Sequence, residues 1–178
     1  MKKKLYLIGG TMGVGKTTTC QIIKNTLNNC VFLDGDRCWD MHPFMVTDET
    51  KVLVLDNICH LLNNFIKCSA FENIVFCWVM HEQAVIDSIV SRLDAENCEI
   101  ISISLVCNPT ALAERLQKDI DNKKRSPDII GRSTARLPMY ETLNTYKLDV
   151  SEISAAEAAE KIITLFSGFI LIPNKIWN

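Results

Sequence analysis

Gly10-Thr-Met-Gly-Val-Gly15-Lys16-Thr17 fits G-x-x-x-x-G-K-[ST] at every position, and few backbones can carry such a stretch. It needs a buried strand before it and a helix after it. Leu5-Tyr6-Leu7-Ile8 is a short apolar run suited to a buried parallel strand, and Thr18 to Leu27 reads as a helix with Ile22, Ile23 and Leu27 on one side. In that order the glycines let backbone N–H groups turn inward around an anion, and the helix N-terminus adds its partial positive charge. Gly10, Thr11, Met12, Gly13, Val14, Gly15, Lys16, Thr17 and Thr18 therefore read as a cradle for a nucleoside triphosphate. Lys16 would serve the β- and γ-phosphates, the Thr17 hydroxyl would serve Mg²⁺, and Thr18 the α-phosphate. The alternative is a Gly-rich turn that happens to precede a helix. With Gly near ~7% of residues, a full chance match is expected in well under roughly one chain in a hundred of this length.

The rest of the chain alternates strand and helix signals. Val31-Phe32-Leu33 reads as a second strand ending at Asp34. Thr47 to Lys67 reads as a helix capped by Thr47, with Val52, Leu55, Ile58, Leu62 and Phe65 at helical spacing. Ile74 to Met80 is a continuous apolar run, as in a central parallel strand, and Glu82 to Leu93 follows as a helix. Ile100 to Val106 is a further strand, Asn108-Pro109 caps a helix running to about Ile120, and Tyr146 to Val150 is a brief last strand. Ser154-Ala-Ala-Glu157 is a capping box for a final helix reaching about Phe166. The expected fold is a three-layer α/β P-loop NTPase sandwich with a mainly parallel five-stranded sheet.

Phe32-Leu33-Asp34-Gly35-Asp36 closes the second strand on the side where ligands gather in open α/β sheets. Two carboxylates one residue apart can take different tasks. One can orient Mg²⁺ while the other accepts a proton from an attacking hydroxyl. Alone, Asp-Gly-Asp is a common polar turn. Beside a phosphate loop the functional reading is favoured. Trp39, His42 and Phe44 follow and would wall an acceptor pocket, although core packing accounts for Trp39 and Phe44 equally well. His81 suits hydrogen bonding better than acid–base chemistry, as does His42, and His60 sits within a helix.

Phosphoryl transfer spreads negative charge over equatorial oxygens, so cations must enclose it. Asn122 to Ala135 is polar and basic, and Lys123, Lys124, Arg125, Arg132 and Arg136 are the candidates, with Arg115 near the entrance to the segment. An ordinary solvated basic loop is the competing account. Arg132, Arg136 and Tyr140 are spaced to share a helix face, but Pro138 marks a new helix start near Leu137.

On these motifs the chain resembles the small P-loop kinases typified by shikimate, gluconate and adenylylsulfate kinases and by chloramphenicol phosphotransferase. Gly10 to Thr18, Phe32-x-Asp34-x-Asp36, the basic segment after the fourth strand, and Leu148-Asp149-Val150-Ser151 before a last helix carry the resemblance. It implies a mobile lid at about 122–136, Asp34 as the magnesium-side carboxylate beside Thr17, and Asp36 as the substrate-side base. It also implies Arg132 and Arg136 as transfer cations with Lys16, and an adenine-binding loop at Asp149 to Ser151. No Asp ends the Ile74–Met80 run, where His81 and Glu82 stand instead, and there is no N-K-x-D.

The expected activity is ATP- and Mg²⁺-dependent phosphorylation of a hydroxyl on a small molecule. A nucleoside or nucleotide kinase and a non-catalytic nucleotide-responsive binding module are the rivals. With 178 residues, 48% of them hydrophobic, the chain suits one domain spanning 1–178. A net charge of −2 supplies no field for nucleic acid or an acidic membrane, and no run approaches the roughly 20 apolar residues of a membrane helix. The eight cysteines show no C-x-x-C pair and read as reduced core residues of a cytoplasmic protein. Ile170 to Asn178 is expected either to pack on the core or to mediate self-association as a homodimer.

Overall fold

The computed structural model describes residues 2–166. The expected role of Ile170–Asn178 in packing or dimerisation lies outside the described residues. Among the described residues, five strands and six α-helices follow one another: β1 (Lys3–Gly9), α1 (Lys16–Thr26), β2 (Cys30–Asp34), α2 (Asp48–Lys67), β3 (Asn73–Cys77), α3 (Gln83–Val90), β4 (Cys98–Val106), α4 (Pro109–Asp121), α5 (Ile129–Thr134), β5 (Tyr146–Asp149) and α6 (Ala155–Phe166). Short 3₁₀ turns occupy Gly35–Trp39 and Leu137–Tyr140. The strands form one sheet in the order β2-β3-β1-β4-β5, and every pairing is parallel.

The apolar strands alternate between two buried faces, which is why they read as unbroken runs. Tyr6, Ile8, Val75, Cys77, Ile103 and Leu105 pack with α1, α4, α5 and α6. Leu5, Leu7, Leu33, Ile74 and Phe76 pack with α2 and α3. Each such aliphatic side chain, fully buried, contributes about 1.5–3 kcal/mol. Cys20, Cys59, Cys77, Cys98 and Cys107 are buried free thiols within these layers.

Three local expectations shift. α1 begins at Lys16, two residues before Thr18, because Gly15 supplies the left-handed turn into it (φ 106°). β3 stops at Cys77 rather than Met80, whose own φ is 36°; the residues beyond leave the ladder yet Met80 stays buried, so the apolar run outlasts the strand. On α2 the buried stripe is Val54, Ile58, Cys59, Leu62 and Ile66, while Val52 is exposed. The cap of α2 is reciprocal between Thr47 and Thr50.

Tyr6 is fully buried, and among the described residues its hydroxyl has no hydrogen-bond partner. Burial pushes its pKa up to about 12. A buried hydroxyl without a partner costs about 1–3 kcal/mol. Tyr6→Phe is therefore expected to raise unfolding stability by about 1 kcal/mol in urea titrations; a loss of that size would reveal a partner for the hydroxyl.

Candidate functional site

The loop from Gly10 to Gly15 rises from the end of β1 into α1. At Gly13 (φ 83°) a Cβ would sit 2.4 Å from Leu116 Cδ2, so α4 packs where only glycine fits. Lys16 is buried, and its Nζ donates to the Thr11 carbonyl at 3.0 Å. That burial lowers its pKa, against the pull of Cys77, Asp36 and Asp34 in the other direction. An ammonium has three donors, and the loop's own carbonyl accepts from one of them. A buried cation at a helix start, under a loop of left-handed glycines, fits the phosphates of a nucleotide.

Asp34 connects this loop to β2. Its Oδ2 accepts from the Thr17 hydroxyl at 2.7 Å, and its Oδ1 accepts from the Asp36 backbone N–H at 3.1 Å, capping the 3₁₀ turn. The Thr17–Asp34 pair, hard oxygen donors beside a phosphate cradle, suits a magnesium ion. Asp36 lies two residues past the end of the strand and opens on the neighbouring cleft. Although the residue reaches solvent, burial of its carboxyl and then the Asp34 charge raise its pKa; Lys16, Arg125 and the Trp78 indole oppose them. Gly35 between the two carboxylates lies against Trp78, whose Cγ would be 2.7 Å from a Cβ there.

The cleft has a volume of about 1050 Å³. Trp39 and Phe44 line it, with ring centroids 5.9 Å apart, and His81 and Glu82 lie on its wall, whereas His42 is not part of the lining. Burial and then Arg136 lower the pKa of His81, so it is neutral at pH 7 despite Glu82 Oε1 at 3.6 Å. His60 sits exposed on α2, away from these groups.

The basic segment divides. Arg125 pairs with Asp119 in the last turn of α4 at 3.2 Å, and Arg132 with Asp128 of its own segment at 2.9 Å. Arg136 forms no ion pair among the described residues; it reaches Met12 Sδ in the phosphate loop at 3.9 Å and lines the cleft with Arg132. The two arginines do not share a helix with Tyr140: α5 ends at Thr134, and Pro138 opens a separate 3₁₀ turn. Thr11 Oγ1 donates to the Ser133 carbonyl at 2.9 Å, which ties α5 to the phosphate loop. Lys123 and Lys124 are exposed.

A second pocket of about 280 Å³ lies at the other end of the loop, between Val14, Thr18, Val150 and Ile153. Arg115 spans it. Its guanidinium donates to the carbonyls of Val14 (3.3 Å), Val150, Ser151 (3.3 Å) and Ile153 (3.4 Å). This corrects its expected place near the lid entrance: four carbonyls from two loops draw it to the opposite end of the cradle. The Asp149 carboxylate accepts from both the backbone and the hydroxyl of Ser151, closing the turn between β5 and α6.

By sequence, residues 7–137 match the AAA domain family. The chain belongs to that family. No protein of curated function matches it by sequence. Among solved structures it is similar to the tunicamycin resistance protein of Deinococcus radiodurans, with a TM-score of 0.70 and 17% identity over 97% of this chain and 99% of that one. It is similar to a gluconokinase from Sinorhizobium meliloti, with a TM-score of 0.67 and 17% identity over 92% and 91% of the two chains. It is also similar to shikimate kinase from Acinetobacter baumannii solved with shikimate, with a TM-score of 0.63 and 21% identity over 95% of each chain. The fold is that of the small P-loop kinases, as the resemblance in the motifs implies. Among the described residues no helix is long and apolar enough to cross a membrane.

Trp78 of this AAA domain escaped the motif reading, and Arg115 entered it only as a candidate cation, not as a clamp on two loops. Trp78 follows an apolar strand and reads as core; only the pairing of β2 beside β3 brings it against Gly35 and the Asp pair. Arg115, three residues after Leu112 on an amphipathic helix, reads as a cation near the entrance to the basic segment. Its carbonyl clamp predicts that Arg115→Ala weakens ATP binding about tenfold, since hydrogen bonds to a charged donor contribute about 1.5–3 kcal/mol each and some of the four are long. Calorimetric titration with ATP and Mg²⁺ checks this, and unchanged affinity would detach Arg115 from the base end.

Proposed function

We propose that this chain is a single P-loop kinase domain spanning 1–178 that transfers the γ-phosphoryl group of ATP, with Mg²⁺, to a hydroxyl of a small molecule in the cytoplasm. The observation that carries the reading is the junction of loop and strand: Thr17 bonded to Asp34 at 2.7 Å, with Asp36 two residues on in the lining of an adjacent cleft. The triphosphate lies along Gly10 to Thr18, with its base toward the pocket that Arg115 spans. Thr17 and Asp34 would hold the metal, which when bound neutralises charge on the phosphate oxygens. Asp36 orients the acceptor hydroxyl and takes its proton. The acceptor oxygen forms a bond to the γ-phosphorus as the bond from that phosphorus to the β–γ bridging oxygen breaks, and ADP departs with the electron pair. Lys16, Arg136 and Arg132 balance the charge on the equatorial oxygens, and the segment at about 122–136 acts as the lid that carries Arg132.

The test is acceptor-stimulated ADP formation across sugars, nucleosides, shikimate-like acids and hydroxylated antibiotics, at a series of Mg²⁺ concentrations. A marked rise with one acceptor class, abolished by chelating the metal, is the expected result. Tight ATP binding with ADP formation that no hydroxyl stimulates would replace this reading with a nucleotide-responsive binding module.

A further inference from the structure

The cleft beside Asp36 carries two features that a site for a compact anionic polyol does not need. The first is apolar surface. Trp39, Phe44, Val46 and Trp78 line it, and Phe44 and Val46 are 68% and 56% exposed. Large apolar side chains that face a functional cleft uncovered mark where a ligand supplies the missing apolar contact. At about 1050 Å³ the cleft also sits at the upper end of volumes that hold drug-sized ligands.

The second feature is charge. Arg37, Lys51, Arg132 and Arg136 face the cleft, as do Asp34, Asp36, Asp40 and Glu82. Lys51 is paired with Asp48 at 3.1 Å and Arg132 with Asp128 at 2.9 Å. Asp34 is engaged by Thr17, and Arg136 reaches toward the phosphate loop at Met12. His81 is neutral at pH 7 and does not offset Glu82. The partners of Asp34 and Arg136 are neutral, so what remains toward an acceptor is Arg37 and Arg136 against Asp34, Asp36, Asp40 and Glu82, a surplus of negative charge.

We propose that the acceptor is an uncharged or cationic amphipathic molecule, its hydroxyl at Asp36 and its aromatic or alkyl part laid against Trp39, Phe44, Val46 and Trp78. The inference rests on the phosphotransferase reading and names the substrate class of that site. An anionic acceptor meets like charge at these carboxylates, and a bare polyol leaves the apolar wall wet.

A matched series separates the two features: phenyl β-D-glucoside, glucose, phenyl β-D-glucuronide and gluconate, titrated by calorimetry into protein saturated with a non-hydrolysable ATP analogue and Mg²⁺. The phenyl glucoside is expected to bind about tenfold tighter than glucose, the size of a ring stacked on aromatic walls. It is also expected to bind about tenfold tighter than the glucuronide. Phe44→Ser, at an exposed position that the fold does not depend on, should shrink the first ratio. Asp40→Asn with Glu82→Gln should shrink the second. ATP titration of each variant verifies that the phosphate loop is intact. Equal binding of phenyl glucoside and glucose, tighter binding of the glucuronide or gluconate, or no binding of any member would overturn the inference. ADP formation stimulated best by gluconate or shikimate would overturn it while leaving the phosphotransferase standing. Tight phenyl glucoside binding with no hydroxyl stimulating ADP formation would overturn the phosphotransferase reading itself.

Discussion

Asp36→Asn is expected to lower acceptor-dependent turnover by about 10²–10⁴-fold, the usual contribution of a positioned general base, with ATP affinity changed little. The amide keeps the size of the carboxylate and removes its capacity to take the acceptor proton. Asp34→Asn should act differently. It weakens the group bonded to Thr17, so it lowers turnover with every acceptor and raises the Mg²⁺ concentration needed. The pH profile carries the same signature. Burial and the Asp34 charge hold the Asp36 carboxyl above its ordinary pKa, and the base works only when ionised. The rate should therefore fall as pH drops through that raised pKa, at a higher pH than an ordinary aspartate would give, and this acid limb should vanish in Asp36→Asn. Stability runs the opposite way. A carboxyl whose folded pKa is raised favours the fold while protonated, and that contribution is lost as pH rises through the folded pKa. Asp36→Asn should consequently melt no lower than wild type at neutral pH. Steady-state ADP release with and without acceptor, with thermal melts of both proteins, measures all of this; undiminished acceptor-dependent turnover would leave Asp-Gly-Asp as an ordinary turn.

Lys16→Ala is expected to abolish measurable ATP binding and turnover together while the fold persists. The buried Lys16 ammonium is held by one carbonyl and has a lowered pKa, so it gains most from an anion placed over it. Hydrogen bonds to a charged group contribute about 1.5–3 kcal/mol each, so losing two phosphate contacts would weaken binding by roughly 10²–10⁴-fold. Removing a buried charge of this kind should not destabilise the empty protein, since desolvation of that charge is a cost to the fold. Calorimetry with ATP and Mg²⁺ beside circular dichroism separates the two effects. Equal ATP affinity in the two proteins would remove Lys16 from the cradle.

The phosphate loop was legible because its chemistry is local. Gly13 and Gly15 need their backbone angles whatever surrounds them, and Lys16 and Thr17 open the helix that follows. Asp34 and Asp36 were legible for a related reason: a strand ending in a carboxylate places it on the ligand-bearing edge of a parallel sheet. The basic segment was read less well. Composition marks Arg125 and Arg132 as free cations, yet Arg125 pairs with Asp119 at the end of α4 and Arg132 with Asp128 of its own segment. Pairing depends on turns at 122–128 that no periodicity announces.

What the chain determines by itself is the kind of fold and the position of its anion cradle, because alternating apolar runs and a glycine loop act through bonds between near neighbours. The tertiary structure alone decides what stands around that cradle. Arg115 becomes a clamp because α4 passes both the phosphate loop and the turn after β5. Trp78 becomes a wall of the cleft because β3 pairs in register with β2, Asp34 beside Cys77, so that the next residue meets Gly35. Neither contact has a local cause. Each exists because sheet order brings together segments more than thirty residues apart, and side-chain packing then selects their partners.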